Sequence, residues 1–230
     1  MPKRAENPFP CDYAPDEDVS PLLEPDVAKF YMQLIGILRW MCELGQIDLF
    51  TEVSMLSSYS AMPREGHLEA TLHVFSFLKS KSNSRLILDP MEPDVGKSDF
   101  VECDWREFYA GATEAIPPNA PKPLGKGVTL RMFVDSDHAG DKVSRRSRTG
   151  FVIFLNHGMI DWLSKKQSTI EASVFGAEFS ALRHGIENLR GIRYKLHMMG
   201  VPVDKPSYMY GDNLSVVTNV SRPESTLKKN

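Results

Sequence analysis

The stretch Val128-Thr129-Leu130-Arg131-Met132-Phe133-Val134-Asp135 is an apolar run that ends in a carboxylate, and it predicts a buried β-strand. Two further short apolar runs follow, Gly150–Leu155 and Met159–Leu163. The turn Asn156-His157-Gly158 lies between them, which predicts a β-hairpin. Three strands in succession therefore open the second half of the chain.

A long amphipathic helix is predicted after these strands. Ser168, followed three residues later by Glu171, predicts a capping box at its start. Gly200 and Pro202 end the helical pattern. The apolar residues between these signals keep helical spacing: Phe175, Phe179, Leu182, Ile186, Leu189 and Leu196.

Two short elements complete this half of the chain. Ser207–Tyr210 predicts a fourth strand, and Asn213–Val220 predicts a short helix. The order of three strands, a long helix, a strand and a helix predicts an α/β fold with a mixed sheet.

The first half of the chain is predicted to be helical. Pro25 precedes apolar residues spaced at three and four, which predicts an amphipathic helix with proline in its first turn. A second helix is predicted from Ile47 to Tyr59, and a third opens after Pro63. Together they form a small helical unit.

Composition divides the chain into four segments. Residues 1–24, rich in proline and aspartate, are predicted to be an extended leader, and residues 25–88 the helical unit. Residues 89–126 contain clustered prolines and acids, which predicts a linker with one short helix near Trp105–Ala115. Residues 127–230 are the predicted α/β domain.

Charge and cysteine content limit the function classes. The net charge of −3 hides an asymmetry, because residues 127–230 contain 10 acids and 15 bases. This excess weakly indicates contact with a polyanion. No apolar run is long enough for a membrane span, and no signal sequence opens the chain. Three widely spaced cysteines fit a reducing compartment, so we expect an intracellular protein, cytoplasmic or nuclear, with no membrane partner.

Three carboxylates are candidates for chemistry. Asp135 and Asp212 each follow a predicted strand, where open α/β sheets place ligands. Glu178 lies at the border of the apolar stripe of the long helix, which directs it toward the sheet. Converging carboxylates repel one another unless a cation is bound, and oxygen ligands favour Mg²⁺ or Mn²⁺. Such a site suits hydrolysis of a phosphodiester by two metal ions.

Two other interpretations of these residues stay open. Asp135 and Asp212 are also suited to bracing turns or capping the helix that follows. In addition, Asp135-Ser136-Asp137 after a strand is similar to the motif of haloacid dehalogenase-like phosphatases, in which Asp135 would be the nucleophile and Asp137 a general acid. That family would require another acid soon after Asp212, where the chain has Leu214, Val216 and Val217.

Motifs along the chain resemble the connection and RNase H segments of copia-type retrotransposon Pol polyproteins, which follow the reverse transcriptase. The motifs of the RNase H segment are Val134-Asp135-Ser136-Asp137-His138-Ala139-Gly140-Asp141, Arg145-Arg146-Ser147, Thr149-Gly150, Lys165-Lys166-Gln167-Ser168-Thr169, Ala177-Glu178-Phe179 and Gly211-Asp212-Asn213-Leu214-Ser215. The upstream helices are similar at Tyr31, Leu34-Ile35-Gly36, His67 and Phe77-Leu78-Lys79, within a thumb- or connection-like segment. The similarity covers most of residues 25–230.

The resemblance implies an RNase H-like fold and an activity. It implies that Asp135, Glu178 and Asp212 are three of four metal-binding and catalytic acids, with Mg²⁺ or Mn²⁺ as cofactor. The reaction would be hydrolysis of the RNA strand of an RNA–DNA hybrid. The implied phosphate-binding residues are basic: Lys142, Arg145, Arg146, Arg148, Lys165 and Lys166. A solvated surface is the other interpretation of this basic run.

The sequence also departs from the family pattern. It ends before the final strand and helix, where the fourth acid is expected, and Glu224 matches no ligand. The paired aspartates of a polymerase palm are not found, so no polymerase active site is expected, and the palm of the same polyprotein is a possible partner. We therefore expect a ribonuclease impaired by truncation. The alternative is a non-catalytic retroelement remnant, at most a weak nucleic-acid binder.

Overall fold

The computed structural model describes residues 5–81, 85–96, 100 and 103–223. Its first half contains three helices, as the sequence predicts: α1 (Pro25–Glu43), α2 (Phe50–Ser57) and α3 (Glu65–Ser80). A single 3₁₀ turn, Ile47–Leu49, leads into α2. These helices enclose their own core, in which the Tyr31 hydroxyl donates to the Leu56 carbonyl at 2.7 Å and ties α1 to α2.

The predicted leader packs against this helical unit. Ala5 is buried, and Phe9 and Tyr13 contact the helical core. His67 in α3 accepts from the Arg64 N–H through Nδ1 at 3.0 Å, so its Nε2 donates to the Pro15 carbonyl at 2.9 Å. Residues 5–24 are therefore held along the helices. The division of the chain into four domains and linkers stays a prediction.

Residues 89–126 run along the second half of the chain. A short helix, α4 (Arg106–Tyr109), lies within the predicted region. Asn156 donates to the Pro90 carbonyl at 2.9 Å, and Arg193 forms an ion pair with Glu114. Although this segment has little regular structure, side-chain contacts attach it to the α/β unit.

The second half of the chain is α/β with a four-stranded mixed sheet, as predicted, and it is compatible with an RNase H-like fold. The strand order is β3-β2-β1-β4; β4 pairs parallel to β1, and the other pairs are antiparallel. The elements are β1 (Leu130–Asp137), β2 (Arg148–Leu155), β3 (Gly158–Lys166), α5 (Val174–Met198), β4 (Tyr208–Tyr210) and α6 (Leu214–Ser221).

Helix α5 covers one face of the sheet. Met132 and Ile153 of the sheet are fully buried in one core cluster with Ala181 of α5. At Gly185 the backbone of α5 comes so close to β1 that an added Cβ atom would lie 2.7 Å from the Met132 Sδ. Because the helix lies so near β1, side chains in its first turns reach the end of that strand.

The predicted capping box at Ser168 is wrong. The N-cap of α5 is Ser173, whose hydroxyl accepts from the Gly176 N–H at 3.1 Å. Strand β3 keeps pairing through Lys166, so the chain crosses to the helix layer over residues 167–173 before the helix begins. Glu171 instead accepts from the Thr169 hydroxyl at 2.9 Å within this crossing.

One hydrogen-bonded junction ties the helical unit to the sheet. The Ser54 hydroxyl of α2 donates to the Ser164 carbonyl of β3 at 2.6 Å and accepts from the Arg148 guanidinium at 2.8 Å. Arg148 is only partly exposed, so this bond satisfies a charged group that has lost much of its water. In the described part of the chain, no helix is long and apolar enough to cross a membrane.

We expect Ser54→Ala to lower the free energy of unfolding by about 1–3 kcal/mol, because it leaves a charged donor and a carbonyl without their partner. Ser57→Ala is the matched control, since its hydroxyl bonds only the Ser54 carbonyl of its own helix. The control should cost less than about 0.5 kcal/mol. Urea unfolding of both variants measures the difference, and equal stabilities would contradict a structural role for the junction.

Candidate functional site

Three carboxylates meet at one edge of the sheet. Asp135 lies near the end of β1, and Asp212 follows β4. Because β1 and β4 are parallel neighbours, with Phe133 opposite Tyr210, the residues two positions further along each strand lie at the same edge. Glu178 extends from the second turn of α5 toward the same point. One oxygen from each carboxylate lies within 4.8 Å of the other two.

The electrostatics of this cluster are unfavourable without a counter-charge. Glu178 is 8% exposed, whereas Asp135 and Asp212 are open to solvent. Burial raises the pKa of Glu178, and the negative charges of Asp135 and Asp212 raise it further. The folded protein therefore holds three acids in an arrangement that a bound cation would relieve.

The donor set fits a divalent ion. Oxygen atoms bound to one Mg²⁺ at about 2.1 Å lie at most about 4.2 Å apart. The observed spread of 4.8 Å is close to this limit, so small side-chain rotations would bring the three oxygens into range. All three ligands are carboxylates, which favours Mg²⁺ or Mn²⁺ over softer metals.

An aromatic groove, with a cavity of about 770 Å³, adjoins the carboxylates on the sheet face opposite α5. Phe133 and Tyr210 stack with ring centroids 4.8 Å apart, and Trp162 also lines the groove. Trp162 belongs to β3 and is half-buried. Ile47 and Phe50 of the helical unit close the groove. Sequence patterns missed these two residues, because nothing near them signals contact with a sheet so distant in the chain.

Three of the six predicted phosphate-binding residues have partners within the protein. Lys142 pairs with Glu17 at 2.7 Å. Lys166 pairs with Asp141, and Arg148 belongs to the junction with α2. The remaining three are exposed, and their side chains have no polar partner within the described residues: Arg145, Arg146 and Lys165.

Asp137 lies apart from the carboxylate cluster. Its carboxylate accepts a hydrogen bond from the Arg148 backbone N–H. The carboxylate also lies against Gly140, in the space that a Cβ atom at position 140 would occupy. Asp137 therefore braces the turn after β1, which is the role expected of a turn residue.

Comparison with known proteins gives a consistent set of relatives. The chain is 23% identical over 193 residues, 84% of its length, to the retrovirus-related Pol polyprotein from transposon RE1 of Arabidopsis thaliana. It is 24% identical over 199 residues, 86% of its length, to the corresponding polyprotein from transposon RE2 of the same plant. The chain spans only 11% of the length of each.

A shorter relative also matches. The chain is 28% identical over 152 residues to secreted RxLR effector protein 161 of Plasmopara viticola, covering 66% of this chain and 83% of that protein. No family model and no solved structure matches. The predicted resemblance is confirmed: homologues of this chain over most of its length are Pol polyproteins of copia-type transposons.

We expect Glu178→Gln to raise the melting temperature at pH 7 in EDTA by about 2–4 °C, the shift that about 1 kcal/mol produces in a protein of this size. A carboxyl group whose pKa is raised on folding destabilises the folded protein as the pH rises through that pKa. Glutamine does not ionise, so the substitution removes this loss of stability. Thermal unfolding followed by circular dichroism measures the effect. Glu187→Gln, an exposed acid on the same helix, should leave the melting temperature unchanged.

Mg²⁺ should reverse the order of the melting temperatures of the wild type and Glu178→Gln. Binding to the folded state stabilises by mass action, so millimolar Mg²⁺ should raise the melting temperature of the wild type and of Glu187→Gln more than that of Glu178→Gln. An equal response of all three proteins would contradict a metal site at this cluster.

We expect Asp141→Asn to lower stability at pH 7 by about 2 kcal/mol. Partial burial raises the pKa of Asp141, but bonds from Lys166 and Ser144 lower it more, from 3.8 to about 2. A lowered pKa stabilises the fold above about pH 3.8, and this contribution disappears as the pH falls toward 2. Urea unfolding from pH 7 to 2 should show the two curves converging. The exposed pair of Lys142 and Glu17 provides the control, Glu17→Gln, which should cost little.

Proposed function

We propose that this chain, a homologue of copia-type Pol polyproteins, is an RNase H-like nuclease that hydrolyses the RNA strand of RNA–DNA hybrids with divalent metal ions. The observation that carries the proposal is the meeting of Asp135, Glu178 and Asp212 at the edge of the sheet. The order of the motifs around these acids supports the same assignment.

Each acid has a separate task in this proposal. Asp135 and Asp212 are exposed and would be open to the substrate, while the buried Glu178 on α5 would also hold the metal. Metal ions bound by these residues would activate a water and stabilise the leaving oxygen of the phosphodiester. The Asp135 carboxylate also accepts from the Ser136 N–H at 2.8 Å, which holds its orientation.

Substrate binding would combine charge with stacking surfaces. The free cations Arg145, Arg146 and Lys165 would attract phosphates without regard to sequence. Phe133 and Tyr210 in the aromatic groove offer flat apolar surfaces next to the acids. Contacts that select RNA through its 2′-hydroxyl are not assigned to any residue.

The resemblance implies four acids, and the cluster among the described residues holds three. Glu224 lies outside the described residues. We expect hydrolysis that depends on added Mg²⁺ or Mn²⁺ and stops in EDTA.

Cleavage of a hybrid with labelled RNA in Mg²⁺ or Mn²⁺ is the direct test. Asp135→Asn should reduce the rate by about 100-fold or more, because it removes a group that acts as a unit with the metal ions. Asp137→Asn is the matched control on the same strand, and it should retain most of the activity. The two variants separate the nuclease from a phosphatase-like mechanism, in which both residues would be essential.

Two results would contradict the proposal. The first is cleavage by Asp135→Asn at the wild-type rate. The second is wild-type protein that binds the hybrid but leaves it intact with either metal, which would favour a non-catalytic remnant that binds nucleic acid.

A further inference from the structure

A second groove, with a cavity of about 520 Å³, lies between the helical unit and strand β3. It adjoins the aromatic groove, since Phe50, Leu163 and Ser164 line both. The two grooves therefore share part of their lining on α2 and β3, one with the carboxylates in its lining and the other toward the end of β3. Ser54 and Ser164, which are hydrogen-bonded to each other, both contribute to the wall of the second groove.

The charges of this second groove differ from those at the carboxylates. Arg39 of α1 and Lys165 of β3 line it, both exposed and both without a polar partner among the described residues. Lys166 also lines the groove, but Asp141 neutralises it. Glu43 is the single acid in the lining.

The helical side of the groove is rich in hydroxyl groups. Ser57 and Ser58 line it, and both hydroxyls bond the Ser54 carbonyl within their own helix, at 2.9 and 3.2 Å. A serine hydroxyl can rotate to donate to an incoming anion. Two free cations, one from α1 and one from β3, together with hydroxyl donors of α2 in the same lining, form a set of groups suited to a phosphodiester.

We propose that this groove, the Arg39–Lys165 groove, binds a backbone phosphate of the nucleic acid whose scissile phosphate lies at the carboxylates. The proposal rests on the proposed function for the identity of the ligand. A guanidinium presents paired donors that match two phosphate oxygens, and a lysine adds a mobile point charge. The helical unit thereby becomes part of the nucleic-acid interface.

The shared lining gives this site a defined task. A strand that binds at the edge of β3 and also reaches the carboxylates would pass the aromatic groove, which adjoins both. Cations and hydroxyl groups recognise the backbone and carry no sequence information. The Arg39–Lys165 groove would therefore position the strand without selecting its bases.

Fluorescence anisotropy with a labelled RNA–DNA hybrid in EDTA tests the groove without any hydrolysis. Arg39→Ala and Lys165→Ala should each weaken binding by about 3- to 10-fold at low salt. Each should also reduce the slope of log K against log salt by about 1, the expected effect of losing one phosphate contact. Arg39→Lys and Lys165→Arg keep the charge and should retain most of the slope.

Two exposed cations on α5 serve as matched controls. Arg190→Ala and Lys195→Ala remove the same charges from a helix that does not line the groove, and they should bind as the wild type does. Thermal unfolding checks that all variants fold. Since neither Arg39 nor Lys165 has a polar partner among the described residues, the melting temperatures should match.

The outcomes separate this inference from the proposed function. If the wild type cleaves the hybrid while Arg39→Ala and Lys165→Ala keep wild-type affinity and salt dependence, the proposed phosphate site is wrong and the proposed nuclease function stands. If both variants lose affinity and salt dependence while no cleavage depends on Asp135, the phosphate site stands and the nuclease function is wrong. If the wild type fails to bind the hybrid at low salt, both are wrong.

Discussion

The parallel pairing of β1 with β4 is the constraint on which the candidate site depends. The register places Phe133 opposite Tyr210, so Asp135 and Asp212 leave the sheet at the same edge although they lie 77 positions apart in the chain. Helix α5 brings the third acid, because its close packing at Gly185 fixes its height above β1. A shift of two residues in the pairing of β4 would carry Asp212 about 7 Å along the strand and out of reach of the other acids.

The cluster of three acids favours the binding of a cation at the expense of the stability of the unliganded protein. Burial and neighbouring negative charge both raise the pKa of Glu178, so the cluster costs free energy until a cation binds. Nearby, Asp141 shows the opposite case, since Lys166 and Ser144 hold its pKa low and it stabilises the turn after β1. Asp141 and Glu178 thus differ in their effect on folding, because Asp141 has a cationic partner and Glu178 has none within the described residues.

The helical unit shapes the surface beside the acids as much as the sheet does. Ser54 joins it to β3 through bonds to Ser164 and Arg148, residues that lie 110 and 94 positions away. This junction creates two adjoining grooves, one aromatic and acidic at its end, the other basic and rich in hydroxyls. The relatives match most of the chain, which includes both sides of the junction.

The sequence by itself determined the elements and the chemistry available to them. Short apolar runs predicted the strands, and helical spacing of apolar residues predicted α1 and α5. Acids after predicted strands marked Asp135 and Asp212 as candidates. These are local signals, which depend on residues within a turn or a strand of one another. Only the tertiary structure decided that α5 begins at Ser173 rather than Ser168, and that Lys142, Arg148 and Lys166 are paired within the protein. The start of the helix and these pairings depend on groups that folding brings together from distant parts of the chain. Such contacts leave no pattern in the sequence around the residues that make them.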